Sequence, residues 1–410
     1  TVVVGEADYG VVPNQLTTAA AASAEVGGNA MDVETNGQEA REEGMHFGPV
    51  RGKAGQWASC IELVDASSLT VSGHLDLEGN HIVTCMALVR FEGQEEDTLV
   101  VGTALNMKLQ PRGSDGGEIR LYSLQDKGKR LELIHSTAAR GIPRALCTFH
   151  GKLLVGVENS LALYDLGKKQ LLKKTENRNF PNFIVSVETM GDRIYVGDAQ
   201  DSFHFCRYRS EDNQIHIYAD DSIPRYLTAS VALDYNTMVG GDKFGNIFVC
   251  RLPKDISQEV EDDPTGGRIL KKNEQVETAP HKLEAECNFH LGDTVTSIQR
   301  TSMQPGGKEF ILYMTILGEI GALLPLTSKE DVDFFTHLEM HLRQDNPPIC
   351  GNDHLRYRSS YNPVRNVVDG GLCEQYSQIP KELQARIAEE LDRTPGEVMK
   401  KLEDVRNRIM

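Results

Sequence analysis

The 410-residue chain has no C-x-x-C pair, no N-x-[ST] sequon and no apolar run approaching the ~20 residues that a membrane-spanning helix needs. Each absence removes a class. Without paired cysteines a zinc ribbon or thioredoxin-type motif is excluded. The eight cysteines, Cys60, Cys85, Cys147, Cys206, Cys250, Cys287, Cys350 and Cys373, stand apart. The first five sit in apolar runs, where a thiol behaves as a small hydrophobe. No signal-peptide pattern is visible either, so an intracellular, reduced and soluble protein is expected. Positive charge is scarce: 43 Lys+Arg against 60 Asp+Glu leave a formal charge of −17. Such a surface repels phosphates, and direct binding of RNA or DNA is not expected. There is no initiator methionine, and the chain opens on the strand-like Thr1-Val-Val-Val4, which reads as a piece of something longer.

Catalytic machinery is also missing. No Ser, Cys or His lies in a nucleophile-elbow context. Gly240-Gly-Asp-Lys-Phe-Gly245 lacks the spacing of a phosphate loop and joins two strands, so it reads as a hairpin turn. In His337-Leu-Glu-Met-His341 the two histidines share a helix face, but Glu339 lies about 200° around from each. That pair reads as surface histidines, not a zinc protease motif. Asp220-Asp221 and Glu261-Asp262-Asp263 lack the alternation of a calcium loop and read as solvated acidic turns. No metal, no cofactor and no enzymatic activity are expected.

What is present is a repeat. Residues 10–55, rich in Ala, Gly and acids, read as a flexible linker after a short strand at 1–9. From 56 to 327 short apolar strands alternate with Gly, Asn and Asp. Leu99-Val-Val-Gly102, Leu153-Leu-Val-Gly156, Ile194-Tyr-Val-Gly197 and Thr237-Met-Val-Gly240 all end in Val-Gly, at intervals of 54, 41 and 43 residues. Each is followed by an alternating strand: Ile119 to Leu124, Leu161 to Leu166, Phe203 to Tyr208 and Ile247 to Leu252. A last copy runs from Glu309 to Leu324. A period in the forties with about four strands per copy predicts an all-β, WD40-like β-propeller. Gly151-Lys152, Gly191-Asp192 and Tyr235-Asn236 supply hairpin turns. The acidic insertion 253–282 reads as an exposed loop.

After Thr327 the period becomes helical, predicting a small C-terminal α-helical domain over 328–410. Ser328 is placed to cap a helix to about Gln344, with Val332, Phe335, Leu338 and Leu342 on one face. An extended stretch from Asn346 to Val368 follows, then a short helix capped by Asp369 and a helix over Pro380 to Asp392 with Leu383, Ile387 and Leu391 inward. Thr394-Pro-Gly-Glu397 is a capping box that opens a final helix striped by Val398, Leu402, Val405 and Ile409. Separately, Ile223-Pro-Arg-Tyr226 follows an acidic turn and precedes a strand. Arg and Tyr are enriched at interface hot spots, so this segment is a candidate interface, the alternative being Tyr226 folded onto the core.

Long blocks of the sequence resemble the splicing factor 3b subunit 3 family: YADDSIPRYLTA at 218–229, DKFGNIFVCRLP at 242–253, DPTGG at 263–267, DFFTHLEMHLR at 333–343, CGNDHLRYRSS at 350–360 and ELDRTPGEVMKKLEDVR at 390–406. The resemblance covers roughly 56–410. It implies the third of three seven-bladed propellers plus the helical domain of a nuclear, non-catalytic scaffold in the splicing factor 3b complex of the U2 small nuclear ribonucleoprotein. That complex acts in pre-mRNA splicing and branch-site recognition. The implied partners are a HEAT-repeat subunit, a small helical subunit and a zinc-containing subunit. Partner contacts are implied on segments matching Ser222 to Lys243 and Thr294 to Gly318, with single contacts matching Gln110, Asn182 and Arg365. Arg225, Tyr226, Lys243 and Thr294 are expected to line a groove that takes a partner helix. Architectural relatives leave a ubiquitin-ligase adaptor or a cleavage-and-polyadenylation subunit as the alternative.

Overall fold

The computed structural model of the chain describes residues 2–9, 52–126, 128–263, 279–346 and 351–408. The expected linker residues 10–51, the tip of the acidic insertion at 264–278, Cys350 and Ile409 lie outside them. By internal packing the chain divides into two units, Thr1–Glu158 with Leu163–Lys174, and Asn159–Ala162 with Thr175–Met410.

Both units are built mainly from short antiparallel meanders. In the first, β1 (Val2–Tyr9) pairs with β2 (Trp57–Asp65), and β2 with β3 (Thr70–Asp76). Next come β4 (His81–Val89) and β5 (Thr98–Leu105), a two-stranded excursion of β6 (Lys108–Leu109) and β7 (Arg112–Gly113), then β8 (Gly117–Gln125) and β9 (Arg130–Ala139). These give a four-stranded sheet in the order β4-β5-β8-β9. A third sheet holds β10 (Pro143–Phe149), β11 (Lys152–Val157), β12 (Ser160–Asp165) and β13 (Leu172–Asn177), the unit division passing through its last two strands.

The second unit continues with β14 (Ile184–Met190), β15 (Arg193–Asp198), β16 (Ser202–Arg209) and β17 (Gln214–Asp221). After it come β18 (Leu227–Asp234), β19 (Thr237–Asp242), β20 (Asn246–Arg251) and β21 (His281–His290). These two meanders are joined by a short parallel pairing of β17 with β21. A three-stranded sheet of β22 (Val295–Thr301), β23 (Phe310–Thr315) and β24 (Ile320–Leu323) follows. Successive meanders of this kind are propeller-like, as the repeat predicts.

The structure explains the Val-Gly repeat. Its glycines sit on the second strand of each meander, at close approaches of neighbouring side chains: Gly102 and Gly197 face the first residues of the next sheet, and Gly240 faces its own sheet and the preceding one. A Cβ on Gly102 would stand 2.6 Å from Cys85 Sγ and 3.0 Å from Pro143 Cβ, and one on Gly240 would stand 2.4 Å from Phe248 Cζ and 3.0 Å from Phe203 Cζ. Opposite Gly102, Gly156 and Gly197 the first strand of the meander is bulged, as between Val83 and Cys85, and in the fourth copy the glycine beside the bulge between Leu227 and Ala229 is Gly241, one residue after the Val-Gly pair. The bulged residue is itself a device: the hydroxyls of Thr84 and Thr228 donate to the carbonyls of Pro143 and Val295, the first residues of the next meander.

Apolar side chains on the sheet faces fill the spaces between neighbouring meanders. Val89, Phe91, Val100, Ile119, Leu121, Leu153 and Val155 form one such layer in the first unit. Tyr195, Phe203, Phe205, Tyr218, Phe248 and Leu283 form another in the second. Burial pushes the Cys85 thiol up to about 12, which suits the apolar role read for the lone cysteines.

The acidic insertion departs from expectation. Its first part is a helix, α1 (Lys254–Asp262), with Val260 fully buried and Ile256 packed on the same core. Spacing of i and i+4 puts both on one face, and the single turn of apolar pattern was hidden among acids. Of the acidic residues read as solvated turns, Glu261 and Asp262 are exposed but end α1, while Asp220 and Asp221 close strand β17. Glu261 meets the buried Arg193 guanidinium at 3.2 Å, Asp220 pairs with Lys282, and the carboxylate of Asp221 is inside the protein with Arg225.

The C-terminal helices are α2 (Lys329–Asp345), α3 (His354–Ser359), α4 (Gly370–Glu374), α5 (Lys381–Glu390) and α6 (Pro395–Arg406). Phe335, Leu338, Leu342, Leu372, Tyr376, Ile387, Val398 and Leu402 share one core. Three details differ from the sequence reading. Ser328 precedes α2 without a side-chain cap bond. Val332 faces out while Asp331 is buried, because Lys401 and Arg408 meet its carboxylate and hold it below the ordinary carboxylate range. The stretch expected to be extended contains α3. Asp369 does cap α4, accepting from Leu372 N at 3.1 Å. His337 bonds the Asp333 carbonyl and His341 pairs with Glu390 at 2.8 Å, so they do not act together. No described helix is long and apolar enough to cross a membrane.

Candidate protein interface

Within the second unit, the loops at one end of successive meanders are tied in a row. The Asn182 amide N–H donates to Asp198 Oδ2 at 2.9 Å, and its side chain donates to Asp201 at 2.7 Å. Ala199 N donates to Phe183 O at 2.8 Å, and Ser202 N to Arg225 O at 3.3 Å. Lys243 N donates to Tyr226 O at 3.0 Å, Thr294 Oγ1 to Lys243 O at 2.8 Å, and Ile316 N to Thr294 O at 3.0 Å. Asp293 closes the row by accepting from Leu317 N at 3.0 Å; a bond from the Thr315 side chain, first among its partners, holds this carboxylate below the ordinary range.

On this frame the expected Arg-Tyr pair divides. Tyr226 points out. Arg225 does not: it is 4% exposed, its guanidinium paired with Asp221, 3.3 Å from Cys250 Sγ and 4.0 Å from the centroid of the Phe248 ring. The reason is its partners: the carboxylate of Asp221 and the ring of Phe248 hold the guanidinium inside the loop that precedes β18. Arg225 is therefore a core residue and is withdrawn from the interface.

Tyr226 instead joins two residues that the sequence reading left out. Phe244 packs edge-on to it with centroids 5.5 Å apart, and Tyr361 packs on Phe244 at 5.2 Å. The Lys243 ammonium lies 3.7 Å from the Tyr226 centroid and 4.9 Å from that of Phe244. The hairpin holds Phe244 out because Asp242 Oδ1 accepts from the N–H groups of Phe244 and Asn246, both at 2.9 Å. Tyr361 is 66% exposed, and Leu317 further along is 86% exposed, with Phe183 and Ile316 also out in solvent. An aromatic at the tip of a tight hairpin was the available signal for Phe244, since such positions ordinarily carry polar residues.

The remaining expected contacts are placed as follows. Thr294 is half-buried and braces Lys243. Asn182 is half-buried and held by Asp198 and Asp201. Gln110 is exposed between β6 and β7 in the first unit. Arg365 is exposed, its backbone bridged to Asn288 of β21. Nothing in this row resembles a catalytic constellation. It offers flat aromatic area with one cation, the chemistry of protein contact.

A family profile for the CPSF A subunit region matches residues 58–378. The chain belongs to this family. It is 49% identical to spliceosome-associated protein 130 A of Arabidopsis thaliana over 389 residues, 93% of this chain and 32% of that protein. It is 48% identical to a probable splicing factor 3B subunit 3 of Dictyostelium discoideum over 88% of this chain and 29% of that protein. It is 46% identical to splicing factor 3B subunit 3 of Danio rerio over 88% of this chain and 30% of that protein. The chain thus spans about a third of the length of these curated relatives.

Proposed function

We propose that this chain is the third, seven-bladed propeller and the C-terminal helical domain of a splicing factor 3b subunit 3. In this reading it is a nuclear, non-catalytic scaffold that serves pre-mRNA splicing and branch-site recognition in the U2 small nuclear ribonucleoprotein. The observation that carries the reading is the exposed row Tyr226–Phe244–Tyr361, joined edge to face, in a chain nearly half identical to proteins named as splicing factors. The row suits an apolar helix of a partner subunit, and the HEAT-repeat, small helical and zinc-containing subunits are the expected neighbours. A charge of −17 supports protein over nucleic acid as the direct contact.

The test is affinity purification of the tagged chain from nuclear extract, with identification of the bound proteins. Splicing factor 3b and U2 components are expected, and their loss in Phe244→Ala would place the contact on this row. Recovery of a cullin instead would assign the chain to ubiquitin-ligase adaptors and overturn the proposal.

A further inference from the structure

Strands β2 and β3 bring four donor side chains to one place in the first unit. Cys60 and Glu62, two apart on β2, stand directly opposite Asp76 and His74 on β3. Alternation puts all four on one face, while Ile61 and Leu75 on the other face enter an apolar core. The thiol of Cys60, a carboxylate oxygen of Glu62 and a ring nitrogen of His74 all lie within 4.8 Å of one another. His74 Nδ1 is 3.4 Å from Glu62 Oε1, and its Nε2 is 2.9 Å from Asp76 Oδ1. Cys60 is fully buried, and the side chains of Glu62 and His74 are each 16% exposed.

We propose that Cys60, Glu62 and His74 form a binding site for a divalent transition metal, zinc by its donor set, that clamps β2 to β3. Sulfur, imidazole nitrogen and carboxylate oxygen are the three zinc donors in proteins, whereas calcium and magnesium take oxygen alone. With bonds of about 2.0–2.3 Å in a tetrahedral site, donor atoms stand roughly 3.3–3.8 Å apart. The His74–Glu62 pair is already at that separation, and the thiol lies within 4.8 Å of both. Asp76 supplies what a metal-bound histidine needs on its far side. By accepting from Nε2–H it fixes the tautomer whose Nδ1 lone pair faces Glu62. Binding sends the thiol proton to solvent, so affinity rises with pH. Spacing rules for zinc ribbons miss such a set because its members are paired across strands and not along the chain.

The experiment uses the full chain, freed of any affinity tag, with zinc alone as the probe. Metal content after dialysis, competition against a chromophoric chelator and the spectrum of the cobalt-substituted protein are measured for wild type, Cys60→Val, His74→Gln and Asp76→Asn. One tightly held zinc per chain is expected in the wild type, with a thiolate-to-cobalt charge-transfer band. Cys60→Val and His74→Gln should lose both, and Asp76→Asn should bind about 10–100-fold more weakly. Zinc should raise the melting temperature of the wild type and not of His74→Gln, with equal values in chelator. If Cys60→Val does not fold, the cobalt band and His74→Gln decide the matter. A wild type without zinc, metal retained by His74→Gln, or a cobalt spectrum without the sulfur band overturns the proposal.

Discussion

The ammonium of Lys243 stands 3.7 Å from the centroid of the Tyr226 ring, while the backbone N–H of Lys243 donates to the Tyr226 carbonyl at 3.0 Å. The two contacts hold the ring outward before any partner arrives, which lowers the entropy lost on binding. Tyr226→Ala is therefore expected to weaken partner binding by about 2 kcal/mol, roughly thirtyfold, with fold stability within about 0.5 kcal/mol of wild type. Titration of the small splicing factor 3b subunits onto wild type and variant, in parallel with thermal melts, checks both halves. Equal affinities would remove Tyr226 from the interface, and a large loss of melting temperature would return it to the core.

Its neighbour should behave in the opposite way. Arg225 and Asp221 are a pair inside the protein, with Arg225 also over the Phe248 ring. Arg225→Ala leaves the Asp221 carboxylate buried without its counter-charge and should cost about 3–5 kcal/mol. Denaturant titration measures this, and the double variant with Asp221→Asn should recover part of the loss. An Arg225→Ala protein of wild-type stability with weakened partner binding would instead put the guanidinium at the surface.

Much of this architecture was legible because its cause is periodic. The Val-Gly copies and the alternating strands after them mark sheets that must pack on their neighbours, and the same register repeats at Gly102, Gly156 and Gly197, with the fourth copy shifted by one residue to Gly241. The capping box at Thr394 was legible because its two members, Thr394 and Glu397, are three residues apart. What was not legible depends on contacts between distant strands. The inward turn of Arg225 is set by Asp221 and Phe248, α1 is held by Val260 against residues of β16 to β20, and Asp331 is buried because Lys401 and Arg408 come to it from the end of the chain. The aromatic row was half legible: Tyr226 was visible as a residue type before a strand, but Phe244 was absorbed into its turn and Tyr361 reaches it only through the fold.

The repeat itself can be tested at Gly240. A methyl group there would meet the rings of Phe248 and Phe203, both fully buried, so neither can move aside freely. Gly240→Ala should destabilise by about 1–3 kcal/mol through overpacking. Gly396→Ala is the matched control, because no atom lies within 4 Å of that site and it is in a helix, where alanine is preferred. The control should hold or slightly raise the melting temperature. Equal effects at the two positions would mean that the glycine of the repeat is not a packing requirement.

The final prediction concerns the start of α6. Thr394 N donates to Glu397 Oε2 at 2.7 Å, and Glu397 N donates back to Thr394 Oγ1 at 3.4 Å. Thr394→Ala removes one half of this exchange and should weaken the helix by about 0.5–2 kcal/mol, read as faster amide exchange over Val398 to Leu402. The other half is sensitive to pH. The bond from Thr394 N, the largest cause, holds the Glu397 carboxyl below the ordinary glutamate value of about 4.3. A carboxyl depressed on folding adds stability that is fully present above its unfolded value and is lost as pH falls through its folded value. Protection of α6 should therefore be flat from neutral pH down to the ordinary glutamate range and decline below it. In Glu397→Gln that decline should vanish, because the amide oxygen accepts the same bond without titrating. A wild type and a Glu397→Gln variant with the same pH profile would show that the cap does not depend on the charge of Glu397.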